Sequence, residues 1–265
     1  MNAILRKYQK THGDLKKDVL TMRFEEHPEL YDSKFLNEKE HKEFQHIIGV
    51  CQWIIFVGIF DLSYSVYSLS GFLDATQLGH IDMDRRTFGY LKKYLEIGYA
   101  INPQPMTIDA NYEKVHMKYY FGNQYAYLRK EIYDQFPEPL LDELDIHVFV
   151  DADHGHVKVT GILITGLFSV VISTPTTCSS KIQTAVQTST FGYEFTSLKN
   201  AVKGTVIIWY HLKSMRIKLF KPTPVFSENT SLVLNATNPG STLNKKPWRI
   251  ANILLGNMLL TMLWR

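Results

Sequence analysis

Cysteine is scarce in this chain. Cys51 and Cys178 are the two among 265 residues, far apart and in no CxxC pair. That argues against a thiolate zinc site and against a disulfide framework, and favours a reducing compartment. The first residues, Met1 to Lys7, turn quickly polar and lack the apolar core of a signal peptide. No long apolar run occurs. The richest, Ile47 to Phe60, is interrupted by Gln52 and two glycines and falls short of the ~20 residues a membrane-spanning helix needs. A buried helix is the expectation there, with no membrane partner. Charge of one sign is also missing: 29 basic and 26 acidic residues leave a formal net charge of +3. That permits a nucleic-acid partner without demanding one. No internal repeat is visible.

What is present is an ordinary globular composition, 45% hydrophobic and 21% charged, with enough length for one large domain or two small ones. Residues 1–33 are charged and weakly periodic, which predicts a poorly ordered arm. Residues 34–97 turn helical, with Phe44, Ile47, Ile48 and Cys51 at helical spacing. A second helix carries Leu62, Val66 and Leu69. A third runs from about Ile81 to Leu95, with Arg85, Arg86, Lys92 and Lys93 on its polar side. Residues 98–145 read as a connector, opened by Asn102-Pro103-Gln104-Pro105 and rich in tyrosine, Tyr119 and Tyr120 included. A domain boundary is expected near Asp145.

Beyond it the texture becomes β. His147 to Asp151 is a short apolar strand ending in an acid. Gly161 to Ser173 is a β-branched run, by itself short of two hairpin arms. Thr190 to Tyr210 returns to helix. Pro224 to Phe226 is another short strand, and Ser231 to Leu234 begins a helix or turn. This order predicts an α/β domain with helices packed on a mixed sheet.

Three acids sit where such a fold could gather them: Asp151 at a strand end, Glu194 in the first turns of the long helix, and Glu228 after the last short strand. Converging carboxylates bind hard divalent cations, and two such ions can promote phosphodiester cleavage. With 26 acids in the chain, solvated surface acids are the commoner explanation of such a pattern. Asp153, His154 and His156 offer a transition-metal alternative, although only His211 follows as a further ligand. Ser180, Lys181, Gln183 and Asn229 are candidates for phosphate contact.

The residues also carry a resemblance. Val148-Phe149-Val150-Asp151-Ala152-Asp153 resembles the opening strand of copia-type retrotransposon ribonuclease H. Thr165-Gly166, Ser179-Ser180-Lys181-Ile182-Gln183, Thr188-Ser189-Thr190 with Tyr193-Glu194-Phe195, and Ser227-Glu228-Asn229-Thr230-Ser231 follow in that family's order. Upstream, Phe44 to Gly49 with Cys51-Gln52-Trp53, then Phe60-Asp61-Leu62, Gly79-His80 and Gly89-Tyr90-Leu91 resemble the segment after the reverse-transcriptase palm. The likeness spans about residues 28–246.

It implies a thumb or connection region over 34–97 and, over 146–246, an RNase H-like fold with a mixed five-stranded sheet, truncated at its C-terminus. It implies metal-dependent cleavage of RNA in RNA/DNA hybrids. Asp151, Glu194 and Glu228 would be the catalytic and metal-binding acids of a two-metal Mg²⁺ or Mn²⁺ site. The expected partners are a hybrid duplex and the remainder of a Pol polyprotein. The expected location is the cytoplasm, in a virus-like particle, or the nucleus.

The chain departs from the family in several places. No Asp-Asp pair occurs anywhere, so polymerisation is not expected. Glu228 stands where the family has Asp, and a misplacement of 1 Å at a reacting centre can cost ~10²-fold. Cys178 and Ile162 replace a tryptophan and an arginine. These departures leave two alternatives open: an inactive remnant with residual nucleic-acid binding, and an unrelated α/β interaction protein.

The tail, residues 247–265, departs most. Ile250-Ala251-Asn252-Ile253-Leu254-Leu255-Gly256-Asn257 is what codons for the family's His-Ser-Lys-Tyr-Phe-Val-Arg-Glu-His give when read one base later. A one-base deletion near the Lys245 and Lys246 codons explains it and removes the last helix with its acid. Sequencing the locus should reveal Tyr-Phe-Val-Arg-Glu-His one frame away; its absence there refutes the deletion.

Overall fold

The computed structural model describes residues 2–15, 19, 28–94, 96, 98, 101–106, 144–153, 163–183, 189–217 and 223–237. These divide into two compact units. The first holds residues 1–100 with 154–164 and 177–184; the second holds 101–153, 165–176 and 185–265. The expected boundary near Asp145 thus falls inside the second unit. The proposed tail, most of the connector with Tyr119 and Tyr120, and both His154 and His156 lie outside the described residues.

The first unit is helical. Its helices are α1 (Asn2–His12), α2 (Glu38–Val57), α3 (Ser63–Ser70) and α4 (Leu78–Lys93). The expectation of a poorly ordered arm over 1–33 is corrected at its start. Leu5 and Tyr8 recur on one side of α1 and are buried in the same core as α2 and α4. Three residues of spacing on a helix bring both to a single face, a pattern diluted in the sequence by Arg6, Lys7 and Lys10.

Helix α2 starts at a reciprocal cap. The Asn37 side chain accepts the Glu40 N–H at 3.0 Å, and Glu40 accepts the Asn37 N–H at 3.1 Å. It ends at Gly58, whose φ of 125° suits glycine alone. Its buried face is Phe44, Ile47, Ile48, Cys51, Ile54 and Ile55. Trp53, Phe56 and Val57 on the other side are exposed. No helix among the described residues is long and apolar enough to cross a membrane.

An extended strip ties residues 34–36 to the start of α4. Leu78 N–H donates to Lys34 O, and Leu36 N–H to Thr76 O, both at 3.0 Å. His80 closes the arrangement: its Nδ1 accepts the Gln77 N–H at 2.9 Å, and its Nε2 meets Pro28 O at 3.1 Å. The Tyr31 ring lies against Gly79, where an added Cβ would come within 2.8 Å of it.

The second unit is α/β. From residue 146 on, the chain supplies β1 (Ile146–Asp153), β2 (Ile164–Val171), β3 (Thr174–Ile182), α5 (Thr190–Ser214), β4 (Val225–Phe226) and α6 (Thr230–Thr237), with Ile164 and residues 177–182 of β3 counted in the first unit. Four strands form a mixed sheet in the order β3-β2-β1-β4. β1 and β4 run parallel, with Val148 beside Val225 and Phe149 beside Phe226. β2 and β3 are joined through Ile172 and Ser173 alone, so they are antiparallel. β1 and β2 are antiparallel as well. Asp145 O accepts the Ile172 N–H at one end, and Asp151 O faces Gly166 near the other.

β1 alternates cleanly. Ile146, Val148, Val150 and Ala152 are buried, while the residues between them are not. α5 covers the buried face, contributing Phe195, Leu198, Ala201, Val202 and Trp209. Trp209 anchors it further by donating from Nε1 to Thr223 Oγ1 at 2.8 Å. α6 adds Leu232, fully buried in the same core. Deleting most of that side chain should show the cost of a core cavity. Leu232→Ala is expected to lower unfolding free energy by about 2–5 kcal/mol in a denaturant titration.

Candidate functional site

Asp151 lies on β1, on the face opposite the helix-covered residues, and is exposed. Its Oδ1 accepts the Ala152 N–H at 2.7 Å. Glu228 follows β4 and is also exposed. The strand pairing relates the two. Phe149 and Phe226 are register partners in parallel strands, and each acid stands two residues further along. Gly166, facing Asp151 from β2, adds no side chain there.

Glu194 is placed differently. It belongs to the second turn of α5 and is buried, 6% exposed. The next residue and the one four further on, Phe195 and Leu198, pack on the opposite face of β1 from Asp151. The strand positions therefore relate Asp151 to Glu228 and set Glu194 on the helix-covered side. Among the described residues, no three acidic, histidine or cysteine side chains group closely enough to hold a metal ion. As arranged, the carboxylates do not fit the two-metal site that the resemblance implies, and no catalytic step is derived through one.

The other candidates have local roles. Asn229 caps α6: its Oδ1 accepts the Leu232 N–H at 2.9 Å. Ser180 and Gln183 are buried at the end of β3, and Gln183 N–H donates to Leu163 O at 2.8 Å. Lys181 between them is exposed. His211, near the end of α5, is exposed too. The face of β1 opposite α5 carries an aromatic row. Phe149 lies 5.1 Å from Phe226 and 6.3 Å from Phe168 between ring centres. Burial pushes the pKa of neighbouring His147 below its ordinary value.

Two polar sites escaped the sequence reading. Thr165 on β2 and Ser197 on α5 share a buried hydrogen bond of 2.9 Å. In the first unit, Asp84 on α4 is 1% exposed. The Tyr8 O–H donates to its Oδ2 at 2.8 Å, and among the described residues its Oδ1 has no hydrogen-bond partner. Burial, against the smaller opposing effects of Tyr8 and Arg85, pushes the Asp84 pKa up to about 7. The available signal was spacing: Asp84 stands four residues before Phe88 and seven before Leu91, on the apolar side of the helix.

The Thr165–Ser197 pair should behave as a buried hydrogen bond does. Thr165→Val or Ser197→Ala alone removes that bond and should cost about 0.5–1.5 kcal/mol, with the double variant costing less than the sum of the two in a double-mutant cycle. Comparison with family models, with curated proteins and with solved structures finds no match to this chain.

Proposed function

We propose that this chain derives from a retrotransposon Pol polyprotein. In this reading residues 146–246 form a ribonuclease H-like domain and residues 34–97 a helical region descended from the part after the polymerase palm. Its parent chemistry is metal-dependent cleavage of the RNA strand in an RNA/DNA hybrid, weak or lost here. The observation that carries the reading is topological. A helix follows the β2–β3 hairpin and packs on β1, and the strand after that helix pairs parallel with β1. That connectivity sets Asp151 and Glu228 at equal offsets beyond a register pair, a relation the sequence resemblance anticipates for two of its three acids.

The same coordinates favour the catalytically impaired form of the reading. Two carboxylates suffice for a loosely held hard cation that also takes substrate phosphate and water. Glu194 sits on the helix-covered side, and Glu228 is longer by one methylene than the residue it replaces. A poorly formed ligand set lowers metal affinity first. What this chain's own residues retain is a sheet face with aromatic side chains and exposed Asp151, with the exposed Lys181 at the end of β3 as a separate phosphate-contact candidate.

The test is a hybrid duplex labelled on its RNA strand, incubated with the full chain and Mg²⁺ or Mn²⁺. Cleavage is expected at least about 10²-fold below that of an intact ribonuclease H, and Asp151→Asn should abolish it. Hybrid binding with no cleavage in either metal would establish the dead-remnant form. Neither binding nor cleavage would overturn the proposal.

A further inference from the structure

We propose that α1 is a proton-controlled latch on the first unit, docked through Tyr8 onto the buried Asp84 carboxyl and loosened when that carboxyl ionises. The attachment is narrow. Among the described residues of α1, Leu5 and Tyr8 are buried with Ile4 packed beside them, and the Tyr8 ring stacks on Phe88 with centres 3.9 Å apart and planes 9° from parallel. The Tyr8 O–H reaches Asp84 Oδ2 at 2.8 Å, and among the described residues Oδ1 is left with no hydrogen bond. A neutral carboxyl tolerates that position; a carboxylate, shut from water with one donor, does not.

The groups facing Asp84 do not rescue the charge. α1 contributes Tyr8, and burial with the nearby Asp84 pushes that phenol's pKa far above its ordinary value. α2 contributes Cys51, fully buried, whose thiol is likewise pushed up, first by burial and then by Asp84; its Lys39, Glu40 and Glu43 line a cavity that Asp84 and Arg85 also border, one cation against two acids. On α4 itself Arg85 exerts a modest favourable pull, but its Nη1 is engaged by Asp82 at 3.2 Å. α3 carries no charged residue. Undocking α1 lifts Tyr8 away and opens the carboxyl to water.

The sign follows from linkage. Asp84 is raised from an ordinary 3.8 to about 7, so the docked state binds the proton more tightly than the undocked one. Docking is strongest below pH 3.8, weakens as pH rises, and reaches its new level above about 7. The latch closes on acidification.

Hydrogen exchange on the full chain reads this directly, with protection corrected for the intrinsic pH dependence of amide exchange. Protection over residues 6–12 should fall at least about tenfold between pH 5 and pH 8, while α5 stays constant. Asp84→Asn should make the α1 profile flat. Tyr8→Phe keeps the ring stack but removes the hydrogen bond that Tyr8 donates to the carboxylate, so it should deepen the fall at pH 8. A flat wild-type profile overturns the latch. So does an Asp84→Asn profile that falls like the wild type, or, should that variant fail to fold, a Tyr8→Phe profile identical to the wild type.

Discussion

The second unit depends on one packing relation: α5 laid along the buried face of β1. Val148, Ala201 and Val202 are completely buried there, with Phe195 nearly so. Each fully buried large aliphatic or aromatic side chain contributes about 1.5–3 kcal/mol, so this contact supplies much of the unit's hydrophobic stabilisation. It also fixes position. With α5 held, the chain leaving Ser214 must return beside β1, and a strand of two residues, Val225 and Phe226, suffices to close the sheet. The Trp209–Thr223 hydrogen bond ties the helix to the chain two residues before that strand.

The same relation explains the partial agreement between sequence and site. A β-strand shows two faces, and α5 claims one of them. The alternation that buries Ile146, Val148, Val150 and Ala152 necessarily places His147, Phe149, Asp151 and Asp153 on the other. Acids can be equally well placed by order along the chain and still belong to different sides of the sheet. Order and spacing put Asp151 and Glu228 at the ends of their strands, and parallel pairing sets each two residues beyond the register pair Phe149 and Phe226. They could not tell that Glu194 shares a face with Phe195 and Leu198, because helix phase against a sheet is a tertiary property.

The fold itself was legible where periodicity was strong. The buried stripe Phe44, Ile47, Ile48, Cys51 and the long helix from Thr190 could be read from spacing alone, although that helix runs on to Ser214. The β2–β3 turn was not legible. Its two residues are Ile172 and Ser173, and Ile172 takes a φ of 59°, a region β-branched residues rarely enter. No Asn or Gly announced the reversal. The β-branched run from Gly161 therefore looked like an incomplete pair of arms, when its partner was the Thr- and Ser-rich stretch that follows. α1 was obscured for a similar reason: two buried side chains among cations carry too little pattern to stand out.

Gly79 bears on which substitutions the first unit tolerates. The Tyr31 ring occupies the volume a methyl group would need at that position, and Tyr31 is held by the strip that runs from Pro28 to α4. Every replacement of this glycine forces the ring aside at the point where His80 and the extended pairing converge. Most surface positions accumulate change silently, but this one does not. A side chain at position 79 therefore displaces the ring, and with it the junction on which the start of α4 rests.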